Sequence, residues 1–174
     1  MAPCTTGDTT RMSIVVMGVS GSGKSVVGYA LAQKISLEFI DADDLHPATN
    51  KEKMSSGIPL TDDDRWPWLD KVGEAISNKE VVIACSALKK VYRDRIRSHA
   101  PSATFILLET PREELEARIR IRQERDGHFM PASLLDSQLG TLESLGPTER
   151  GSAIANQGSL TAVVEAAAKV VGRE

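Results

Sequence analysis

The chain has 174 residues and a formal net charge of −3 at pH 7, with acidic and basic residues interspersed. This length predicts one domain and is too short for a kinase with two full lobes, and the charge pattern argues against nucleic acid or a membrane surface as partner. Cys4 and Cys85 suggest neither a metal site nor a disulfide framework, and the first dozen residues lack an apolar signal core, so we expect a cytoplasmic protein.

The first predicted strand, Ile14 to Met17, leads directly into the most specific motif of the chain. Gly18 to Ser25 reads G-V-S-G-S-G-K-S and matches the phosphate-loop pattern G-x-x-x-x-G-K-[ST] at every fixed position. Its glycines let backbone N–H groups approach phosphate oxygens, at the start of a helix whose positive end favours anions. The pattern assigns Lys24 to the β- and γ-phosphates and Ser25 to Mg²⁺. The predicted nucleotide-binding residues of the loop are Gly18, Ser20, Gly21, Ser22, Gly23, Lys24, Ser25 and Val26.

Four further apolar runs alternate with segments of helical periodicity, which predicts an α/β fold with a parallel sheet between helices. The runs are Phe39 to Ile40, Val81 to Cys85, Phe105 to Leu108 and, more weakly, Ala153 to Ala155. Apolar stripes at helical spacing are predicted to face the core: Leu69, Val72 and Ile76; Leu88, Val91, Tyr92 and Ile96; Leu134, Leu135, Leu139 and Leu142; Leu160, Val163, Val164, Ala167 and Val171. We predict a single domain over residues 12–174 after a flexible tail over residues 1–11.

Two segments do not have the pattern of crossover helices. Residues 41–65 are rich in charge, glycine and proline, and residues 118–131 are dense in arginine. Ligands of an open parallel sheet bind beyond the carboxyl ends of its strands, where such inserts converge. We therefore predict that residues 41–65 bind a phosphoryl acceptor and that residues 118–131 form a lid.

The acceptor insert opens with three carboxylates and an imidazole: Asp41, Asp43, Asp44 and His46. A phosphoryl acceptor site needs one carboxylate to accept the hydroxyl proton and another near the magnesium shell, and this cluster could supply both. Aspartates also favour turns, so a purely structural role stays open.

Basic residues in the next two segments predict an anionic acceptor. Arg65 follows a run of acidic residues and a capping Thr61, and a guanidinium matches two carboxylate oxygens at once. Lys89, Lys90 and Arg93 place positive charge at a helix start, where the helix dipole opposes it. That placement indicates an anionic ligand, with a solvated basic face as the alternative.

Arg118 and Arg122 lie four residues apart, on one face of a predicted helix that ends before Gly127. Gly127 would let the segment fold over a bound nucleotide, as a lid does. Arginines near a helix C-terminus are also ordinary partners of the helix dipole, and that reading remains the alternative.

Taken together, these motifs resemble the gluconokinase family, small phosphate-loop kinases that phosphorylate D-gluconate on its 6-hydroxyl with MgATP. The blocks that carry the resemblance follow one another along nearly the whole chain: Met17 to Ser25; Asp41-Ala42-Asp43 with Leu45-His46-Pro47; Asn50 to Met54 with Gly57; Leu60 to Arg65 with Pro67-Trp68-Leu69; Cys85 to Lys90 with Tyr92-Arg93-Asp94; and Gly127 to Met130.

The resemblance implies a P-loop fold like those of shikimate and nucleoside monophosphate kinases, with a five-stranded parallel sheet, ATP and Mg²⁺ as cofactors, and often a homodimer. It implies that Asp43 contacts the acceptor hydroxyl, and that Asp41 lies with Ser25 at the metal. The implied sugar-acid contacts are Arg65, His46, Lys89, Arg93 and His128; the implied nucleotide contacts of the lid are Arg118 and Arg122, with Arg122 catalytic beside Lys24 and Asp43.

The segment between Leu115 and Gly127 is a few residues longer than is usual in the family, so either lid arginine is a candidate for the transferred phosphate. A kinase for another small acid or a nucleotide is the main alternative, and a nucleotide-dependent regulatory module is a second. A regulatory GTPase is not expected, since the chain has no N-K-x-D motif.

Overall fold

The structure is a computed structural model that describes residues 11–127 and 132–173. Its sheet has five parallel strands in the order β2-β3-β1-β4-β5, which confirms the predicted α/β class. The strands are β1 (Ile14–Met17), β2 (Glu38–Asp41), β3 (Val81–Ala84), β4 (Thr104–Glu109) and β5 (Gly151–Ala155). Residues 1–10 of the predicted tail lie outside the described residues.

Helices cover both faces of the sheet. They are α1 (Lys24–Lys34), α2 (Ala48–Ser55), α3 (Asp62–Ile76), α4 (Lys90–His99), α5 (Arg112–Asp126), α6 (Ala132–Thr141) and α7 (Leu160–Val170), and a 3₁₀ turn spans Ala42–Leu45. One core packs α3 and α4 against the sheet, and the other packs α1 and α7 against its opposite face. Because both faces are covered, β1 and β3 are buried along their whole length and read as continuous apolar runs.

Most of the predicted core stripes are buried, but Val91, Leu134 and Leu160 are exposed. Val91 lies about 100° round α4 from Tyr92, outside the narrow face that packs on the sheet. Leu160 is the first residue of α7, directly after its capping Ser159. An apolar residue next to a stripe is thus not always part of it.

The predicted lid is largely a continuation of a crossover helix, because α5 runs without a break from Arg112 to Asp126. The prediction that residues 118–131 lack the pattern of such a helix is therefore wrong for residues 118–126. Gly127 ends α5 in the left-handed conformation, with φ of 68°. Residues 128–131 lie outside the described residues, so lid movement stays a prediction.

The predicted acceptor insert is mostly helical. Asp41 still belongs to β2, α2 occupies its middle, and α3 already begins at Asp62 with a capping box. In that box the Thr61 hydroxyl accepts the N–H of Asp64 at 3.2 Å, and the Asp64 carboxylate accepts the N–H of Thr61 at 2.9 Å. Across residues 11–127 and 132–173, none of the helices has the length and apolar character that crossing a membrane requires.

Candidate active site

The phosphate loop leaves the buried end of β1 in a conformation that favours glycine. Gly18, Gly21 and Gly23 have φ angles of 154°, 80° and 83°. A Cβ on Gly18 would come within 2.7 Å of the Ser22 hydroxyl oxygen, so the backbone packs too closely for a side chain. Gly23 caps α1 without a side-chain hydrogen bond to its first turn. The first N–H groups of α1, which include that of the exposed Val26, are therefore oriented for an anion.

Lys24 and Asp43 lie close enough to influence each other's ionisation. The Lys24 ammonium folds back over the loop and donates to the carbonyl oxygen of Val19 at 3.0 Å. Burial lowers the pKa of Lys24, and the nearby Asp43 opposes that shift. Desolvation raises the pKa of Asp43, as does Asp41, whereas Lys24 lowers it. The structure thus brings the predicted phosphate-binding lysine and the predicted acceptor carboxylate together.

Asp41 and Ser25 form a hydrogen-bonded pair of oxygen ligands beside Asp43. The Ser25 hydroxyl donates to the Asp41 carboxylate at 2.7 Å, and the second carboxylate oxygen of Asp41 accepts the N–H of Asp43 at 3.0 Å. Asp41 therefore caps the 3₁₀ turn that presents Asp43. Mg²⁺ takes one or two protein oxygens and keeps several waters, and a hydroxyl with a neighbouring carboxylate fits that preference.

The two lid arginines occupy different places. The Arg118 guanidinium lies 3.5 Å from the Gly21 carbonyl oxygen and 3.4 Å from that of Ser22, and it pairs with Glu114 at 2.9 Å. Arg122 is 69% exposed, and its charge acts on the pKa values of both Lys24 and Asp43. Arg118 thus lies against the loop, whereas Arg122 is solvent-exposed and acts on Lys24 and Asp43 through its charge. His128 lies outside the described residues.

Two polar residues that contact the phosphate loop are not predicted from the sequence. The Gln138 side-chain oxygen accepts the Ser20 N–H at 2.7 Å, and its amide nitrogen donates to the Ser20 hydroxyl at 3.2 Å. Asn156 donates to the Ser22 carbonyl oxygen and to Thr110. Gln138 is 118 positions from Ser20, so no local pattern marks it. Asn156 directly follows β5, and the position of ligands beyond strand ends could have drawn attention to it.

His46 is buried and packs in the acceptor insert. Its ring stacks on Trp68 with centroids 4.1 Å apart, and Nδ1 lies 3.2 Å from the Asn50 amide nitrogen. Burial, helped by the charges of Lys51 and Arg65, lowers the pKa of His46 to about 4. The ring is therefore neutral near pH 7 and cannot attract an acid through charge. A contact of His46 with the sugar acid, which the family resemblance implies, would have to be an uncharged one.

Arg65 and Lys89, by contrast, come together around one carboxylate. Lys89 Nζ lies 3.3 Å from Asp62 Oδ2, and Arg65 Nη1 lies 3.5 Å from Asp62 Oδ1. The Tyr92 hydroxyl also donates to Asp62, and both cations lie over the Tyr92 ring, 5.3 Å and 5.6 Å from its centroid. We call these four residues the Asp62 cluster. The sequence predicts the two cations of this cluster, whereas Tyr92 has the spacing of a core residue and no motif gives Asp62 a role.

The structure contradicts the predicted substrate contact of Arg93. Its side chain is 0% exposed and forms an ion pair with Glu149, which is 3% exposed, at 2.7 Å. All its donors are used, since it also bonds the carbonyl oxygens of Ala87, Leu88 and Ser144. Ala87 is a non-glycine residue with φ of 40°. Arg93 thus holds the loop before Lys89 in a rare conformation rather than contacting a ligand.

A phosphate loop after the first strand of a five-stranded parallel sheet, with carboxylates facing its lysine, defines the class of P-loop kinases. The AAA domain model matches residues 14–145. The Escherichia coli K12 thermosensitive gluconokinase is 48% identical over 75% of this chain and 71% of that protein, and the Arabidopsis thaliana gluconokinase is 41% identical over 79% and 80%. The crystal structure of a gluconokinase from Sinorhizobium meliloti 1021 is 49% identical, covers 93% of both chains and has a TM-score of 0.82. The chain belongs to the gluconokinase family, as the sequence motifs predicted.

Proposed function

We propose that this protein transfers the γ-phosphoryl group of ATP to the 6-hydroxyl of D-gluconate. The observation that carries this proposal is the placement of Lys24, Ser25, Asp41 and Asp43 around one point, in a chain 41–48% identical to proteins named gluconokinases. The anchored phosphate loop supports nucleotide binding, and the cations of the Asp62 cluster support an acidic acceptor.

Asp43 is the residue that would accept the proton of the acceptor hydroxyl. As the hydroxyl oxygen forms its bond to the γ-phosphorus, the bond from that phosphorus to the β–γ bridging oxygen breaks and ADP leaves. The desolvation and the neighbouring Asp41 that raise the pKa of Asp43 make it a better base than an unperturbed aspartate, and the nearby Lys24 opposes that shift.

Lys24, the loop N–H groups and the lid arginines would stabilise the transferred phosphoryl group. Arg122 is the better candidate for the reacting phosphate, because its charge reaches both Lys24 and Asp43, whereas Arg118 is anchored against the loop backbone. Ser25 and Asp41 are the residues that would hold Mg²⁺, which, when bound, neutralises charge on the β- and γ-phosphates.

Arg65 and Lys89 would bind the gluconate carboxylate. Arg65 reaches this position from the first turn of α3, and Lys89 from the residue that precedes α4. Hydrogen bonds to charged groups are worth about 1.5–3 kcal/mol, which is sufficient to select an acid over a neutral sugar. A homodimer accompanies the proposal on the strength of the family resemblance, and a cytoplasmic location on that of two cysteines that suggest no disulfide framework. Light scattering of the purified protein tests the homodimer.

The proposed activity is tested by ADP release from MgATP with a panel of D-gluconate, shikimate, glucose and nucleoside monophosphates, with the product identified by mass. We expect stimulation by gluconate and formation of a phosphogluconate, and loss of both in Lys24→Ala. If another acceptor stimulates ADP release and gluconate does not, the protein is a P-loop kinase with a different substrate. Equal ADP release with no acceptor present would point to a nucleotide hydrolase.

A further inference from the structure

The Asp62 cluster contains a carboxylate of the protein where the proposed function places the carboxylate of the substrate. Lys89 Nζ lies within 3.4 Å of both Asp62 oxygens, Arg65 lies 3.5 Å from one of them, and Tyr92 donates to the same oxygen. The cations expected to bind a sugar acid are therefore already near an acid before any substrate arrives.

The arrangement of these charges leaves room for a second anion. The distances from Asp62 to Lys89 and Arg65, 3.3–3.5 Å, exceed the 2.6 Å of the Arg95–Asp70 pair and the 2.7 Å of the Arg93–Glu149 pair elsewhere in the protein. The side chains are also open to solvent, with Asp62 43%, Lys89 33% and Arg65 30% exposed. An ammonium has three donors and a guanidinium five, so each can bind a further carboxylate without releasing Asp62.

The charge of the cluster matches one carboxylate. Two cations and one anion leave a net charge of +1. The neighbouring His46 adds none near pH 7, since its pKa is about 4, and Lys53 is matched by Asp64 at 2.7 Å. Without Asp62, the same place would present two positive charges to an acceptor.

We propose that Asp62 is a specificity-determining residue that sets the acceptor site to a single positive charge, so that a monoanionic sugar acid is selected over dianionic acceptors such as phosphorylated polyols. This inference rests on the proposed function and adds to it the charge class of the substrate. Asp62 lowers the affinity for every anion at this position, and it does so twice as strongly, in free energy, for a dianion as for a monoanion.

The test compares Asp62→Asn with Asp63→Asn on three six-carbon acceptors: D-glucitol, D-gluconate and D-glucitol 1-phosphate. These carry zero, one and, at pH 8, about two negative charges at the same end. Asp63 is the matched control because it is exposed, lies in the same first turn of α3 and loses the same charge near the same helix dipole. KM, or the inhibition constant where no turnover occurs, is measured at low and at about 0.3 M salt.

For Asp62→Asn we expect the KM for gluconate to fall roughly fivefold. The KM or inhibition constant for D-glucitol 1-phosphate should fall roughly 25-fold, and that for the neutral D-glucitol should not change. Both decreases become smaller in high salt. Asp63→Asn leaves all three constants unchanged. Asp62→Ser, which retains a helix-starting residue, provides a second variant if the first folds poorly.

A raised gluconate KM in both Asp62 variants would overturn the inference and make Asp62 a group that positions Arg65 and Lys89. Equal changes for all three acceptors would also overturn it, because a charge effect must scale with acceptor charge. Failure of the proposed function is a separate result, since it shows in the wild type as no turnover of gluconate; the inference then falls with it.

Discussion

Replacing Arg93 with methionine tests the finding that this residue stabilises the fold and does not bind the substrate. The change leaves Glu149 buried, with Arg97 at 3.0 Å and the Gly146 N–H as its remaining partners. Breaking a buried ion pair from one side costs about 3–5 kcal/mol, and we expect the lower end because Arg97 stays. For a domain of this size that corresponds to a decrease in Tm of about 6–12 °C.

The pKa of Glu149 reflects all the groups around its carboxylate together. Burial would raise it, but hydrogen bonds from Arg93, Gly146 and Arg97 lower it from 4.5 to about 2. A folded-state pKa below the unfolded value stabilises the protein above about pH 4.5, and that stability is lost as the pH falls towards 2. The shift corresponds to about 3 kcal/mol, which is what the three partners contribute together after the opposing effect of burial.

Differential scanning calorimetry of wild type, Arg93→Met and Arg95→Met between pH 7 and pH 2 measures this effect. Arg95 also lies on α4 and also pairs bidentately with a carboxylate, Asp70, but its side chain is 47% exposed. Its loss should cost no more than about 1 kcal/mol. An equal decrease in Tm for both variants at pH 7, or a decrease for Arg93→Met that does not become smaller towards pH 2, would show that the buried Arg93–Glu149 pair does not stabilise the fold.

Three further predictions concern the active site, each read from steady-state kinetics with MgATP and gluconate. Lys24→Ala should lower kcat by about three orders of magnitude, because an electrostatic contact to the transferred group is lost; near-normal turnover would remove Lys24 from that role. Arg65→Ala should raise the KM for gluconate about ten- to a hundredfold and leave the KM for ATP unchanged, and an unchanged gluconate KM would assign the carboxylate to other groups. Gln138→Ala should raise the KM for ATP roughly two- to tenfold, since Ser20 loses both contacts to α6, whereas a selective effect on gluconate would place Gln138 at the acceptor instead.

The sequence predicted those parts of the fold and of the site that depend on residues close together along the chain. The strand Ile14–Met17 and the loop after it could be recognised because a continuous apolar run and a spaced glycine pattern each have one dominant structural meaning. Asp41 and Asp43 were recognisable for a similar reason, since they lie at the carboxyl end of β2 and just beyond it, where a parallel sheet binds its ligands.

Features that depend on distant residues could not be predicted in this way. The charge of Arg93 at a helix start indicated an anion, but that anion is Glu149, 56 residues further along the chain. Tyr92 has the spacing of a core residue and is indeed buried, yet its hydroxyl reaches the edge of the core and bonds Asp62. A periodic pattern identifies the face of a helix and does not say what its polar atoms meet.

If Asp43 opposite Lys24 promotes phosphoryl transfer to gluconate, the kcat of Asp43→Asn must fall far below that of Asp44→Asn. Both residues lie in the same 3₁₀ turn, but it is Asp43 whose pKa is raised by desolvation and lowered by Lys24, and whose charge raises the pKa of Lys24 in return. We expect Asp43→Asn to lose at least two orders of magnitude in kcat for gluconate and Asp44→Asn to stay within about threefold of wild type. Comparable turnover by the two variants would show that Asp43 has no special part in the transfer.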